Sequence, residues 1–323
     1  MVCTIIEQLS DYYEMAYCSP VGSIQDILNK KKIKYYPLKK FRYGDIKRII
    51  KEYKPDIIHA HDIKASLIAS RFGKRYRVIS HLHKNDFSMN KLSLKSVLYR
   101  ISSRNFFEVV GVSQSVWNEY VFKNSIGHKF RVLYNYVNAN KIQKMSNEFS
   151  VDKTYDFFFL GRLSPEKNPM EFLAVIERLS EEREVTAVMI GDGVLMEACK
   201  KEIQEKKLNV DILGFQSDPF PYIKNSKIGI MPSMYEGFGL AAVECNILGK
   251  PVFNSGVGGL KEIYENNPFY ICNVLDEYVD KINKYLKQPK PISRCLKYSD
   301  EKQFQNNLLS IYEFCYTESE TNL

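Results

Sequence analysis

The sequence has few features of a secreted or membrane-spanning protein. No apolar run approaches the roughly 20 residues of a membrane helix, and the N-terminus, Met-Val-Cys-Thr-Ile-Ile-Glu, lacks the basic and apolar regions of a signal peptide. The cysteines are scattered, without a Cys-x-x-Cys pair, which predicts reduced thiols and a cytoplasmic location. They occupy positions 3, 18, 199, 245, 272, 295 and 315.

The sequence also lacks a nucleic-acid recognition motif, although its net charge is +8. The charge is uneven, because residues 1–150 hold 26 Lys and Arg against 12 Asp and Glu, whereas residues 151–323 hold 20 against 26. This asymmetry predicts an anionic partner for the first half, and a membrane surface fits it better than nucleic acid. The densest basic clusters are residues 30–34 and 39–42. A solvated basic face is the alternative.

Length and hydropathy pattern predict two α/β domains. A chain of 323 residues is long for one core, and its short apolar runs alternate with amphipathic stretches of about 10–15 residues. The polar stretch 144–153 is the predicted boundary, which gives Rossmann-like domains over residues 1–147 and 148–323. The predicted strands are 33–36, 56–60, 77–82, 107–112 and 131–134 in the first domain, and 155–160, 186–190, 210–213, 228–231 and 251–254 in the second.

One stretch of the second half predicts a strand, a glycine loop and a helix in succession. The apolar run 227–231 precedes a loop with Gly237 and Gly239, and an amphipathic stretch follows it. Glu236 lies beside the glycines, where a ligand can approach free N–H groups. Glu244 lies in the apolar stripe, and because a buried unpaired carboxylate costs several kcal/mol, roughly, it needs a partner. The pattern suits a nucleotide sugar; a tight turn with a salt-bridged glutamate is the alternative.

A second loop, residues 161–169, brings two cations to the end of a predicted strand. The strand ends at Gly161, and Asn168 and Pro169 are typical of a helix start. Arg162 and Lys167 therefore lie on one loop at the carboxyl edge of the sheet, where an arginine fork and a mobile lysine suit a diphosphate. The chain contains no Asp-x-Asp pair, so we expect these cations to replace a metal ion. Two solvated loop charges are the alternative.

Taken in their order along the chain, these motifs resemble those of the retaining family 4 (group 1) glycosyltransferases, and in particular bacterial enzymes that build cell-surface polysaccharides. The resemblance rests on Glu236-Gly-Phe-Gly-Leu with Glu244, on Gly161-Arg-Leu with Glu-Lys-Asn, and on the histidine-containing segments 54–61 and 80–83. It covers about residues 12–316. It implies the GT-B fold, with two Rossmann-like domains facing each other across a cleft. It also implies that the last amphipathic stretch, about 302–316, crosses back to the first domain.

One departure from the family concerns the start of the chain. Residues 2–8 resemble the family's first helix, whereas the usual first strand and its glycine loop are missing. We therefore expect a first sheet that lacks a central strand and has unpaired edges. This departure leaves a second hypothesis open, a nucleotide-sugar-binding protein with weak or no catalytic activity.

The resemblance implies a metal-independent hexosyltransferase that moves a sugar from a nucleotide-diphosphate sugar to a saccharide or lipid-linked acceptor, with no cofactor. The first domain would serve the acceptor and the second the donor, at the cytoplasmic face of the membrane. The catalytic residues would be His83, Glu236, Arg162 and Lys167. The donor would be bound by Gly161, Arg162, Lys167, Gly191, Glu236, Gly237, Phe238, Gly239, Leu240 and Glu244, the last through the ribose hydroxyls. His81, His61 and Asn135 would lie on the acceptor and sugar side.

Two histidine pairs support a third hypothesis, a metallohydrolase. The pairs are His59 with His61 and His81 with His83. At a spacing of two on a strand both members face one side, as zinc ligands can. A hydrolase would need further ligands in a set order, whereas the family resemblance accounts for both pairs without a metal.

Overall fold

The computed structural model describes residues 1–22, 24–84, 86–292 and 296–320. The chain divides into two compact units. The first comprises Met1–Val112, Val116–Tyr136 and Asp300–Leu323, and the second comprises Ser113–Ser115 and Val137–Ser299. The chain thus passes to the second unit before the predicted boundary at residue 147, because the helix Ala139–Met145 packs against helices of the second unit. The C-terminal helix belongs to the first unit.

The first unit alternates strands and helices. Its strands are β1 (Ala16–Pro20), β2 (Lys34–Leu38), β3 (Ile57–His61), β4 (Arg77–Leu82), β5 (Glu108–Gly111) and β6 (Phe130–Val132). Its helices are α1 (Val2–Leu9), α2 (Ile24–Lys30), α3 (Tyr43–Tyr53), α4 (Asp62–Ala69), α5 (Leu94–Ser102), α6 (Gln114–Asn118), which begins in the second unit, and α14 (Glu301–Glu320).

The strands of the first unit form two separate parallel sheets within the described residues. β1 pairs with β2, and the other sheet has the order β3-β4-β5-β6. A cavity of about 550 Å³ is lined by residues of both β1 and β3. In the part of the chain that the structure describes, no strand joins these two sheets, as the sequence predicts, and residues 2–9 form the expected first helix.

Helices cover both faces of the four-stranded sheet. On one face, Ile79 and Val110 pack in a core with Ile5 of α1 and Leu308 of α14. On the other face, the hydroxyl of Ser80 donates to that of Ser66 in α4 at 2.7 Å. Since side chains alternate along a strand, the odd-numbered residues of β3 and β4 face α14 and the even-numbered ones face α4.

The second unit contains one parallel sheet of five strands, in the order β11-β10-β7-β8-β9. Its core is rich in aromatic residues, and Phe157, Phe158 and Phe159 of one strand are all almost fully buried. The strands are β7 (Tyr155–Leu160), β8 (Ala187–Ile190), β9 (Val210–Ile212), β10 (Ser226–Met231) and β11 (Val252–Asn254). The helices are α7 (Ala139–Met145), α8 (Pro169–Ser180), α9 (Met196–Glu205), α10 (Phe220–Lys224), α11 (Leu240–Ile247), α12 (Gly259–Ile263) and α13 (Leu275–Lys287).

Every predicted strand overlaps a strand of the structure, and two have the predicted bounds, β4 and β7. One strand, β1, was not predicted. Its sequence, Ala-Tyr-Cys-Ser-Pro, has neither a continuous apolar run nor a clear alternation, and none of its residues is fully buried. A strand at the border of a small sheet has little hydrophobic signal, so hydropathy alone does not find it.

Candidate active site

The loop after β7 carries both predicted cations. A turn of 3₁₀ helix spans Pro165–Lys167, and α8 begins at Pro169. Asn168 occupies the N-cap position in a left-handed conformation, but its side chain makes no capping hydrogen bond. The Arg162 side chain is 73% exposed, and its Nη2 lies 3.7 Å from Glu166 Oε1. Arg162 is therefore a loosely held guanidinium that is free to reorient toward an anion.

Lys167 forms an ion pair with Glu236, which lies on the loop after β10. The two side chains are only 22% and 16% exposed. The same loops are joined through the backbone, since the N–H groups of Met234 and Tyr235 both donate to the Glu166 carbonyl, at 2.8 and 3.3 Å. Sequence reasoning proposed these two charged residues for one site, and the structure brings them into contact.

Close backbone contacts join two further loops to this pair. A Cβ on Gly191, after β8, would lie 1.9 Å from the Gly161 carbonyl oxygen. A Cβ on Gly258, after β11, would lie 1.7 Å from the Glu236 carbonyl oxygen. Only glycine fits at either position. Because β11, β10, β7 and β8 are neighbours in the sheet, the loops at their carboxyl ends form one continuous edge, where parallel α/β sheets bind ligands.

The glycine loop before α11 has a buried side chain on one side of Gly239 and an exposed one on the other. Gly239 has a φ of 102°. The Phe238 side chain is 3% exposed and packs edge-on against Tyr298, with ring centroids 4.9 Å apart. Only the backbone of Phe238 is therefore available to a ligand. Leu240, a predicted donor-binding residue, is 39% exposed, so its side chain lies at the surface.

The carboxylate of Glu244, in α11, has no hydrogen-bond or ion-pair partner among residues 1–22, 24–84, 86–292 and 296–320. Burial raises the pKa of its carboxyl from 4.5 to about 7. The partner that the sequence analysis required is thus not supplied by the described part of the protein. A carboxylate in this position is ready to accept hydrogen bonds from a ligand hydroxyl.

Sequence reasoning missed Ser113, which contacts the glycine loop, and Glu262, which holds the two residues that follow Ser113. The Ser113 hydroxyl donates to the Gly237 carbonyl at 2.6 Å. The carboxylate of Glu262, in α12, accepts from the N–H groups of Gln114 and Ser115, at 3.0 and 2.8 Å. The Ser113 contact joins residues 124 positions apart and therefore leaves no signal in the sequence.

In the first unit, the four paired histidines form one cluster at the ends of β3 and β4. His59 Nε2 lies 3.1 Å from His81 Nδ1, and His61 Nδ1 lies 2.7 Å from His83 Nε2. His59 Nδ1 lies 2.8 Å from the hydroxyl of Tyr312, in α14. The rings stack, with centroids 4.2 Å apart for His81 and His83 and 4.3 Å apart for His59 and His61.

Burial lowers the pKa of all four imidazoles. The pKa of His59 falls to about 3, and those of His61 and His81 fall well below the ordinary value. Repulsion among the imidazoles adds to the effect of burial in these three residues. The pKa of His83 is also lowered by burial. Each ring is therefore neutral near pH 7 and offers one donor and one acceptor nitrogen.

The cluster could also hold a metal ion. One nitrogen from each of His59, His61 and His81 lies within 4.8 Å of the others. Within the described ranges no carboxylate or thiolate joins this group. Asn135, the other acceptor-side prediction, is 6% exposed, and its Oδ1 accepts no hydrogen bond from the described residues.

Comparison with protein families decides the class of the protein. Residues 140–302 match the model described as "Glycosyl transferases group 1", which is half of the chain. Residues 20–141 match the model "Glycosyltransferase Family 4". The chain belongs to the group 1 glycosyltransferases.

Two curated relatives of this glycosyltransferase come from Escherichia coli. The O-antigen biosynthesis glycosyltransferase WclY is 25% identical over 314 residues, which are 89% of this chain and 86% of that protein. The UDP-Gal:alpha-D-GlcNAc-diphosphoundecaprenol alpha-1,3-galactosyltransferase is 23% identical over 267 residues, 73% of this chain and 67% of that protein. At 25% and 23% identity, these two proteins support a family shared with this chain.

The solved structures agree on the fold. Anabaena Alr3699/HepE, crystallised in complex with UDP and glucose, superposes with a TM-score of 0.77 over 96% of this chain and 95% of that chain, at 18% identity. The predicted GT-B fold with two Rossmann-like domains is confirmed. Among the described residues, none of the helices combines the length and hydropathy that a bilayer crossing requires.

Proposed function

We propose that the second unit of this glycosyltransferase binds the diphosphate and ribose of a nucleotide-sugar donor. The observation that carries the proposal is the Lys167–Glu236 ion pair, because it joins two glycine-containing loops at the carboxyl edge of the sheet. A diphosphate at this edge would meet Lys167, the mobile guanidinium of Arg162 and the backbone N–H groups at the start of α11. The relative named for UDP-Gal supports a donor of this class.

The unpartnered carboxylate of Glu244 supports the ribose assignment. It lies one helical turn after Leu240, close in sequence to the glycine loop. Hydroxyl groups of a ribose would supply the donors that the described part of the protein does not. Glu236, held by Lys167, would accept from hydroxyls of the donor sugar. The ribose on one side of the diphosphate and the sugar on the other would thus each meet a carboxylate that is already in place.

The proposed reaction is a sugar transfer with retention and without a metal ion. The bond between the anomeric carbon and the diphosphate oxygen breaks, and the same face of that carbon bonds to an acceptor hydroxyl oxygen. The hydroxyl proton passes to the departing diphosphate. Lys167, held by Glu236, and Arg162, which turns toward the anion, stabilise the negative charge that develops on the leaving group.

We assign the sugar contact in the first unit to His83, with His81, His61 and Asn135 as further residues on the acceptor and sugar side. Being neutral, the His83 ring can donate to or accept from a sugar hydroxyl without placing a positive charge near the anomeric carbon. His83→Ala should lower turnover and leave the affinity for nucleoside diphosphate unchanged. Unchanged turnover would remove this assignment. His128→Ala, an exposed histidine, is the control.

We further propose that the acceptor is a saccharide or a lipid-linked saccharide in polysaccharide biosynthesis, used at the cytoplasmic face of the membrane. The names of the two Escherichia coli relatives support this class. The exposed lysines of the first unit, among them Lys30, Lys32, Lys39 and Lys40, would favour an anionic lipid surface.

The three-histidine group favours a second candidate, a metal-dependent hydrolase. Zn²⁺ takes three histidines and a water in some catalytic sites. Elemental analysis of protein purified without chelator tests this candidate. Stoichiometric zinc that is lost in His81→Gln but kept in His128→Gln would support it, and zinc below one-tenth of the protein concentration would exclude it.

Release of nucleoside diphosphate tests the main proposal. A thermal-shift screen of nucleotide sugars selects the donor, and slow hydrolysis of that donor is then followed with and without a saccharide acceptor. We expect release by the wild type and at least tenfold slower release by Arg162→Ala, with unchanged folding because Arg162 is exposed. Equal release by both proteins would refute the role of Arg162, and binding without release would favour the non-catalytic alternative.

A further inference from the structure

A second cavity of the first unit lies at the amino ends of β3 and β4. Its volume is about 650 Å³, and its wall includes Ile57, the first residue of β3, and Arg77, the first residue of β4. The histidine cluster lies at the other ends of these strands, and His61 follows Ile57 by four residues, roughly 13 Å along the strand. The cavity is therefore separate from the residues of this unit that we assign to sugar transfer.

Positive charge dominates the wall of this cavity, which we call the basic cavity. Of the eleven described residues that line it, five are cationic and one, Asp56, is acidic. The cations are Lys51, Lys54, Lys74, Arg75 and Arg77. These side chains together carry a net charge of +4, although they do not belong to the basic clusters at residues 30–34 and 39–42.

The five cations have no hydrogen-bond or ion-pair partner among the residues whose side chains the structure describes. The two arginines lie over aromatic rings, with Arg77 Cζ 4.8 Å from the centroid of Phe107 and Arg75 Cζ 5.7 Å from that of Tyr76. A ring in this position orients the guanidinium but leaves its N–H groups available to an anion. Uncompensated like charges repel one another, and a bound anion would relieve that repulsion.

The end of α3 accounts for only part of this charge. Lys51 lies in the last turn of α3 and Lys54 is its C-cap residue, where a cation stabilises the helix through its dipole. Arg75 lies in the turn before β4, and Arg77 begins that strand. Neither arginine is in the last turn of an α-helix, so the helix dipole does not explain them.

We propose that the basic cavity binds an anion with two or three linked phosphate groups. Each guanidinium can donate two N–H groups to a phosphate, and the three lysines add mobile point charges. A single phosphate group carries about −1.5 to −2 charges at pH 7, so it would leave about half of the charge of the cavity uncompensated. The proposal does not depend on the donor assignment, which concerns the second unit.

Inorganic tripolyphosphate tests the basic cavity on the full chain. Calorimetric titration in about 0.15 M NaCl compares it with orthophosphate, and hydrogen exchange locates the bound anion. We expect tripolyphosphate to bind at least tenfold more tightly than orthophosphate and to slow exchange at residues 54–57 and 73–77. Protection confined to the loops after β7 and β10 would mean that the anion binds only at the proposed donor site. That result, or no binding at all, would overturn the proposal.

Two matched double variants separate a site from general attraction by charge. Lys74→Gln with Arg75→Gln removes two exposed cations of the basic cavity. Lys47→Gln with Arg48→Gln removes the same two residue types from exposed positions of α3 outside it. With folding checked by circular dichroism, we expect the first variant to bind tripolyphosphate at least tenfold more weakly and the second to change binding less than twofold. Equal weakening of both would overturn the proposal.

Vesicles distinguish a soluble phosphate from a lipid headgroup as the source of the anion. The probe is a phosphatidylcholine vesicle that contains cardiolipin, a lipid with two phosphate groups, and the same two variants are compared by flotation. If the variant at Lys74 and Arg75 loses both flotation and tripolyphosphate binding, the ligand is a lipid headgroup. If it loses tripolyphosphate binding alone, the ligand is a soluble anion. Loss of flotation with unchanged tripolyphosphate binding would contradict a phosphate site in the cavity.

Discussion

The Lys167 ammonium and the Glu236 carboxylate form an ion pair that joins the loop after β7 to the loop after β10. Each is largely buried, so each depends on the other for compensation of its charge. The pair also fixes the position of a cation and of a hydrogen-bond acceptor at the carboxyl edge of the sheet. The donor assignment depends on this relationship.

Removing one member of the pair should cost stability. Lys167→Ala leaves Glu236 without its counterion, and we expect a loss of about 1–3 kcal/mol in the free energy of unfolding. The double variant Lys167→Ala with Glu236→Ala should regain part of that loss, because no lone charge remains. Lys153→Ala, which breaks a more exposed pair with Asp211, should cost less than about 1 kcal/mol. Urea unfolding gives the free energy of unfolding of the wild type, the two single variants and the double variant. Equal losses in Lys167→Ala and Lys153→Ala would show that the buried pair stabilises the fold no more than the exposed pair does.

Glu244 should make stability depend on pH. Its pKa is raised from 4.5 to about 7 in the folded state. Below pH 4.5 both the folded and the unfolded carboxyl are protonated, so burial carries no ionisation cost there. As the pH rises from 4.5 to 7 the unfolded carboxyl ionises first, and the folded state loses stability by a few kcal/mol at most, at about 1.4 kcal/mol per pKa unit.

Glu244→Gln tests this dependence, because glutamine does not ionise. We expect the variant to be more stable than the wild type at pH 8 and to lose that advantage at pH 4, as measured by urea unfolding without nucleotide. Glu197→Gln, at an exposed position, is the control and should follow the wild type at both pH values. An advantage of Glu244→Gln that is the same at both pH values would contradict the buried carboxylate.

Ser113 should act as a positioning residue for the glycine loop. Ser113→Ala removes the hydrogen bond to the Gly237 carbonyl, and we expect a stability loss of about 1 kcal/mol. If the loop binds the donor as proposed, the same change should raise the KM for the donor several-fold while kcat changes less. Ser180→Ala, which removes a local bond to the Ile176 carbonyl in α8, is the matched control. A KM that is unchanged by Ser113→Ala would leave Ser113 a purely structural role.

The basic first unit should bind anionic lipid. In liposome flotation we expect the wild type to rise with vesicles that contain anionic lipid and to be released by added salt. Replacing Lys39 and Lys40 by alanine should weaken binding, at about 1 kcal/mol per lysine. The same change at Lys200 and Lys201, in α9 of the second unit, should not. Flotation that does not depend on salt, or none at all, would refute the membrane proposal.

The sequence predicts best where the physical signal is local. β4 and β7 have their predicted bounds because each contains a short run of mostly buried residues that ends at a polar or glycine residue. The proximity of Lys167 and Glu236 could be predicted from the sequence, since both lie just beyond strand ends that meet at one edge of the sheet. The Ser113–Gly237 contact was not, because no periodicity links residues so far apart. β1 was also missed, since its partly exposed residues have no clear hydropathy pattern.

Calorimetric titration with nucleoside diphosphates tests the central claim most directly. The uridine, guanosine, adenosine and cytidine diphosphates are each titrated into the wild type, Lys167→Ala, Glu244→Gln and the control Lys153→Ala. We predict that at least one nucleotide binds the wild type and Lys153→Ala with equal affinity, whereas Lys167→Ala and Glu244→Gln weaken it by about 1–3 kcal/mol each. Affinity that is the same in all four proteins, or no binding of any nucleotide, would contradict the donor site.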